Sequence, residues 1–158
     1  MSRAEITVAA VTSNAGRYLL VEEHIGERLL LNQPAGHVEP GETLAEAIVR
    51  EVREETAWGF TPCSLIGVYL WRHASGRLYK RFTFAGTLTD HDPGQPLDVG
   101  IVATHWLTRA QIEARARSLR SPLVLRGILD YEAGAHGPLA ALAGLTLAAA
   151  QDVAALEL

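Results

Sequence analysis

Gly36-His37-Val38-Glu39-Pro40-Gly41-Glu42 runs into Thr43-Leu44-Ala45-Glu46-Ala47-Ile48-Val49-Arg50-Glu51-Val52-Arg53-Glu54-Glu55-Thr56, and the chain turns away through Ala57-Trp58. The first part belongs to a loop, Asn32 to Gly41, rich in Gly and Pro. The second predicts a helix over 43–56. Thr43 and Glu46 have the spacing of a capping box, and Glu46 precedes Arg50 by one helical turn. Stepping about 100° per residue from Leu44 puts Ile48 at about 40°, Val52 at about 80° and Val49 at about 140°. That is an apolar arc. Glu51 falls at about −20° and Glu55 at about 20°, on the same arc, with Glu54 beside them at about −80°.

These acids stand at i, i+3 and i+4, where side chains stack together. Like charges repel, and two of these point where Leu or Ile is expected. A buried charge has to be paired or bound to a metal. Oxygen-only ligands suit a hard cation, Mg²⁺ or Mn²⁺, better than zinc. The bland alternative is a solvated acidic helix in which Arg50 and Arg53 are surface partners.

Outward from this helix, Ile6–Val11, Arg17–Glu22 and Leu29–Leu31 read as strands, with Asn14-Ala15-Gly16 as a turn. Leu65–Trp71 and Leu78–Leu88 read as hairpin arms around Ala74-Ser75-Gly76, and Ile101–Leu107 as a last strand. Thr108 caps a helix through Ala116. Ser121 caps another, with Pro122 as its first residue, running to about Glu132. Strands grouped around one strong helix predict an α+β or mixed α/β layered domain.

Composition narrows the function. The chain has 158 residues, 48% hydrophobic and 20% charged, with a net charge of −4. That suits one globular domain and gives no basic surplus for nucleic acid or an anionic membrane. Cys63 stands alone, so there is no intrachain disulfide, and it reads as a small buried hydrophobe. Met1–Glu5 does not lead into a secretory signal. The apolar stretch 138–150 is too short to span a bilayer, which needs about 20 residues. The expectation is a cytoplasmic protein.

Read through, Gly36, five residues, Glu42, seven residues, Arg50-Glu51-Val52-Arg53-Glu54-Glu55 and Thr56-Ala57-Trp58 resemble the Nudix box. Ala57 is the one departure, standing where the pattern has glycine. Further stretches are similar to NudJ-type phosphatases of that superfamily: Val8–Val11, Leu20–Glu23, Asn32–His37, Arg81-Phe82 and Leu119–Val124. The resemblance implies an α/β/α sandwich with a mixed sheet, formed by residues 1–139. Residues 140–158 are then an Ala/Leu-rich tail, expected to be helical and packed on the same domain.

By the same resemblance Glu51, Glu54, Glu55 and the carbonyl of Ala35 hold Mg²⁺, or alternatively Mn²⁺. Arg50 orients the acids and Glu42 supports the loop. Arg81, Trp71 and Gln33 are candidates for substrate contact; for Arg81 a surface ion pair, and for Trp71 a core or rim position, stand as alternatives. The water-positioning group is Glu54 or, because Gly100 lies where many relatives carry a loop acid, Asp98 on a mobile loop. His37 is expected to hold the loop through a hydrogen bond.

The resemblance implies cleavage of phosphoanhydrides in nucleoside tri- and diphosphates or related small diphosphates such as hydroxymethylpyrimidine diphosphate. Alternatives are a pyrophosphohydrolase of ADP-ribose, dinucleoside polyphosphates or capped RNA, and a non-catalytic nucleotide-sensing module. A small-molecule substrate, no stable nucleic-acid partner, no membrane and a monomer or homodimer complete the expectation.

Overall fold

A computed structural model describes residues 4–142. In chain order it has β1 (Ala4–Val11), β2 (Ser13–Asn14), β3 (Arg17–Ile25), β4 (Arg28–Asn32), β5 (Ala35–His37) and α1 (Leu44–Thr56). Then follow β6 (Trp58–Arg72), β7 (Leu78–His91), β8 (Ile101–Thr108), α2 (Arg109–Glu113) and α3 (Leu123–Glu132). Short 3₁₀ turns occupy Ala116–Ser118 and Leu139–Leu142.

One sheet has the order β5-β1-β7-β6, with β1 and β7 parallel and the other pairs antiparallel. In the second, β3 pairs with β2, β4 and β8. The first sheet is therefore mixed, and strand alternation gives it two apolar faces. Val8 and Ala10 of β1 and Phe84 of β7 pack on Leu44, Ala47, Ile48 and Val52 of α1. Val11 and Ala85 belong to the other cluster, with Leu20, Leu31 and Leu107 of the second sheet and Val124 and Ile128 of α3. This is the α/β/α arrangement, with α1 and α3 serving different clusters. Ile48 is 0% exposed, so its burial alone contributes roughly 1.5–3 kcal/mol.

Several boundaries differ from expectation. The Asn32–Gly41 loop contains β5, which three residues of Gly, Ala and His could not announce by alternation; it forms because Ala35, Gly36 and His37 pair with Ala9, Val8 and Thr7. The hairpin arms are longer, Trp58–Arg72 and Leu78–His91. The helix after Thr108 ends at Glu113, although Thr108 and Gln111 do form a capping box. α3 begins one residue later than expected, with Ser121 Oγ accepting from the Leu123 N–H. Cys63 is exposed, because it lies at a register shift on the outer strand β6. Leu139 and Leu142 pack against the α1 cluster, and residues 143–158 of the expected helical tail lie outside the described residues.

Helix α1 starts as the capping box predicts, with Thr43 and Glu46 bonded reciprocally. It ends at Ala57, with φ 60 and ψ 12, in the left-handed region. The Ala57 N–H donates to the Arg53 carbonyl at 2.9 Å, and the Arg53 guanidinium returns to the Ala57 carbonyl at 3.0 Å. Alanine here carries strain of about 1–2 kcal/mol. Its buried methyl, worth about 0.8 kcal/mol, and its restriction of the unfolded chain, worth about 0.4–1 kcal/mol, offset that. Ala57→Gly is therefore expected to shift stability by less than about 1 kcal/mol in denaturant unfolding, with unchanged activity. Ala57→Val adds a β-branch at positive φ and is expected to lower the midpoint clearly.

Candidate active site

The buried face of α1 comprises Leu44, Ala47, Ile48, Glu51, Val52, Glu55 and Thr56. Glu51 and Glu55, each 7% exposed, stand in the middle of that face. Val49, expected at the far end of the arc, is instead 37% exposed. The helix is turned so that acids, not that valine, enter the protein.

β5 receives them. Ala10 N–H bonds to Pro34 O and Val38 N–H to Ile6 O, so the backbone groups of Ala35 and His37 face away from β1. The Ala35 N–H donates to Glu55 Oε2 at 2.9 Å, and the His37 carbonyl accepts from Arg50 at 2.9 Å. The carbonyl of Ala35 is turned to the same side. Between them, Gly36 lies against Glu51: a β-carbon there would stand 2.1 Å from Glu51 Oε1. Glycine at 36 is thus a requirement of this close approach.

Arg50 ties the loop to the acids. Its guanidinium bonds Glu42 at 2.5 and 3.0 Å, Glu51 at 2.8 Å and Glu54 at 3.1 Å. Glu42 also accepts from the Glu39 N–H at 3.0 Å. The hydrogen bonds from Arg50 hold the Glu42 carboxyl below the usual range. Burial does the opposite to the helix acids. It raises Glu51 against the opposing pull of Arg50, and pushes Glu55 up to about 9, with Glu51, Glu23 and Asp98 adding repulsion.

Among the described residues, no three His, Cys, Asp or Glu side chains stand as a ready-made ligand set. The donor chemistry nevertheless fits a hard cation. Two desolvated carboxylates lack sufficient positive charge, a carbonyl faces them, and the bare backbone of Gly36 keeps the space beside Glu51 clear.

Asp98 is brought near by the loop before β8. Its N–H donates to the Glu54 carbonyl at 2.9 Å, so the loop satisfies an orphan carbonyl of the helix end. Gln95 Nε2 does the same for Arg53 O at 2.7 Å. The loop expected to be mobile is thus tied to α1, while the Asp98 side chain is exposed. Gly100 has φ 94, which strains any side chain at the position where an acid was expected.

A cavity of about 200 Å³ opens beside Ala35 and Gly36, walled by Glu23, Arg81, Trp71 and Tyr79. Trp71 and Tyr79 are cross-strand partners and stack at 5.6 Å between ring centroids. Trp71 is therefore a half-buried wall aromatic. Arg81 is only 6% exposed, which removes its surface-pair alternative. It donates to Gln33 at 2.5 Å and to Asn32 at 3.4 Å; its Nε has no partner, and burial lowers its pKa to about 10.

Gln33 requires a correction. It is 1% exposed, accepts from Arg81 and donates to the Val124 carbonyl at 2.8 Å, so it supports Arg81 from behind and does not line the cavity. His37 is on β5, not in a free loop, and pairs with Glu5 at 2.8 Å. Sequence reading missed Glu23, Asn32 and Arg120 as cavity residues. They come from β3, β4 and the segment before α3, with no shared spacing to mark them.

Residues 1–126 match the family described as NUDIX domain. The chain belongs to the Nudix family. "Phosphatase NudJ" of Escherichia coli strain K12 is 40% identical over 139 residues, 88% of this chain and 90% of that protein. The protein of the same name from Shigella boydii has the same identity and coverage. A solved "NUDIX hydrolase from Nitrosomonas europaea" is 47% identical, with a TM-score of 0.87 over 89% of this chain and 96% of that one. The protein is a Nudix hydrolase, and Nudix hydrolases generally use divalent cations and small nucleotide-like substrates.

Two outcomes follow from this geometry. Gly36→Ala should leave the Nudix fold intact, since the flexible Glu51 carboxylate can move aside, yet lower turnover on the order of 10²-fold through misplacement of that acid. Unfolding midpoint and steady-state rate, measured together, check this. Without divalent cations, the folded protein binds more protons than the unfolded chain between about pH 4.5 and about 9, because Glu55 is raised. Stability should therefore be greatest at the acid side of that window and decline as pH rises through it. Glu55→Gln should flatten the slope in chemical denaturation.

Proposed function

We propose that this Nudix hydrolase cleaves the phosphoanhydride bond of nucleoside tri- and diphosphates and related small diphosphates, hydroxymethylpyrimidine diphosphate among them. The observation that carries this reading is the pair of buried carboxylates, Glu51 and Glu55, meeting the β5 backbone beside a cavity. The name of the NudJ relatives, phosphatase, supports it.

In this reading Glu51, Glu54, Glu55 and the Ala35 carbonyl hold Mg²⁺, with Mn²⁺ able to replace it. When bound, the cation neutralises phosphate charge and makes phosphorus more electrophilic. Arg50 keeps the carboxylates aimed. Gly36 leaves room for them, and Ala35 N–H fixes one oxygen of Glu55. Glu54 positions the attacking water and takes its proton. Its Oε2 is held by Arg50, and its side chain is 41% exposed, so it meets solvent as Glu51 and Glu55 do not. Asp98 serves the electrostatics of the acids from the surface. Trp71 and Arg81 form the wall against which substrate rests. In this reading the substrate is a small molecule and the reaction belongs to the cytoplasm. Among the described residues no helix is long and apolar enough to cross a membrane.

The test is a panel of nucleoside phosphates, ADP-ribose and hydroxymethylpyrimidine diphosphate with Mg²⁺, reading orthophosphate and pyrophosphate separately. Orthophosphate from tri- and diphosphates is expected. Pyrophosphate release, or exclusive cleavage of ADP-ribose, would replace this reading with the pyrophosphohydrolase one. Glu54→Gln should lower kcat by about 10²–10⁴-fold while Asp98→Asn is mild. Millimolar Mg²⁺ should raise the melting temperature of the wild type, and much less that of Glu51→Gln/Glu55→Gln.

A further inference from the structure

We propose that Arg120 is a substrate-positioning residue that leaves its partner Glu23 to hold a phosphate of the substrate, an inference that rests on the phosphoanhydride reading above. The segment carrying Arg120 is firmly placed. Its N–H donates to the Leu31 carbonyl at 2.8 Å, and Leu31 and Leu119 form a parallel bridge. The guanidinium is less committed. Its Nε stands 3.4 Å from Glu23 Oε1, beyond the 2.7–2.9 Å of a strong charge-assisted bond. Among the described residues it has no other ion-pair partner, and no side-chain hydrogen bond of Arg120 is formed.

The other guanidiniums at the site have no fork to offer. Arg50 serves Glu42, Glu51, Glu54 and the His37 carbonyl. Arg81 is buried with both terminal nitrogens bonded to Asn32 or Gln33, which leaves its Nε alone unpartnered. A diphosphate entering the cavity meets Glu23 on its wall and, at the Ala35–Gly36 backbone, the neighbourhood of Glu55 and Glu51, and a cation on the helix acids answers only one side of it. Positive charge is also needed on the side away from α1. Arg120 lines the cavity beside Ala35 and Gly36, and it also lines a second, more apolar groove bounded by Leu119, Pro122 and Leu125. It therefore stands where the two spaces meet. A planar guanidinium with free N–H groups binds phosphate in a fork, a stronger partnership than one long contact with a carboxylate. Glu23 is not stranded when Arg120 leaves, because Asn32 Nδ2 donates to it at 3.4 Å and the charge of Arg81 remains near.

The experiment compares wild type, Arg120→Gln and Arg120→Lys in two measurements. The first is KM and kcat for a nucleoside diphosphate with Mg²⁺. The second is the rise in melting temperature caused by methylenediphosphonate, a diphosphate mimic that is not hydrolysed, with Mg²⁺ held constant. Arg120→Gln should raise KM roughly 10- to 100-fold with kcat changed little, and should lose most of the methylenediphosphonate shift. Arg120→Lys, which keeps the charge but not the fork, should recover part of both. Unaltered KM and shift in Arg120→Gln would overturn the assignment, as would a fall in kcat alone. If Arg120→Gln does not fold, an Arg120→Lys protein equal to wild type in both measurements overturns it, and an intermediate one supports it. A wild type that cleaves no phosphoanhydride refutes the functional reading instead, and the methylenediphosphonate shifts still decide whether Arg120 grips a diphosphate.

Discussion

Two carboxylates in the middle of a helix's buried face set the terms for everything around them. Glu51 and Glu55 occupy positions on α1 that apolar side chains would fill at no electrostatic cost. Each is 7% exposed, and burial raises both above the usual carboxylate range. A charge so placed needs hydrogen bonds and counter-charge. The surrounding structure supplies the first and part of the second. Ala35 N–H meets Glu55, Arg50 meets Glu51, and Gly36 has no β-carbon to push Glu51 away.

Holding this arrangement requires a rigid frame on both sides. Ile48 and Val52 anchor α1 to Val8, Ala10 and Phe84, so the rotation of the helix is set by packing. Pairing with β1 presents the outer backbone edge of β5 to that helix. At the far end, Ala57 ends the helix in a left-handed turn, and Asp98 and Gln95 cover its last carbonyls from a loop otherwise distant in sequence. The candidate active site is thus built from segments that each carry ordinary backbone bonds, with the unusual burial of charge confined to two side chains.

The cavity next to the acids is assembled differently. Arg81 projects from β7 on the face away from the α1 cluster and is supported by Gln33 behind it, which is in turn bonded to Val124 of α3. Trp71 and Tyr79 face each other across β6 and β7. Glu23, Asn32 and Arg120 meet only because β3, β4 and the approach to α3 converge. The inward acids and the cavity therefore rest on different parts of the fold, and in the function proposed above one can vary while the other is kept.

The helix, its capping box and the inward phase of Glu51 and Glu55 were all legible in residues 36–58. They depend on local spacing, and α-helical periodicity converts spacing directly into a shared face. The layered α/β class was legible for the same reason, from alternation along the strands. Tertiary structure alone decided that β5 exists and that Arg81 is buried. It also placed Gln33 behind the cavity, Cys63 at the surface, and Glu23 beside Arg120. Each of these is set by a neighbour many residues away, and pairing across strands leaves no periodic mark on the sequence of either partner.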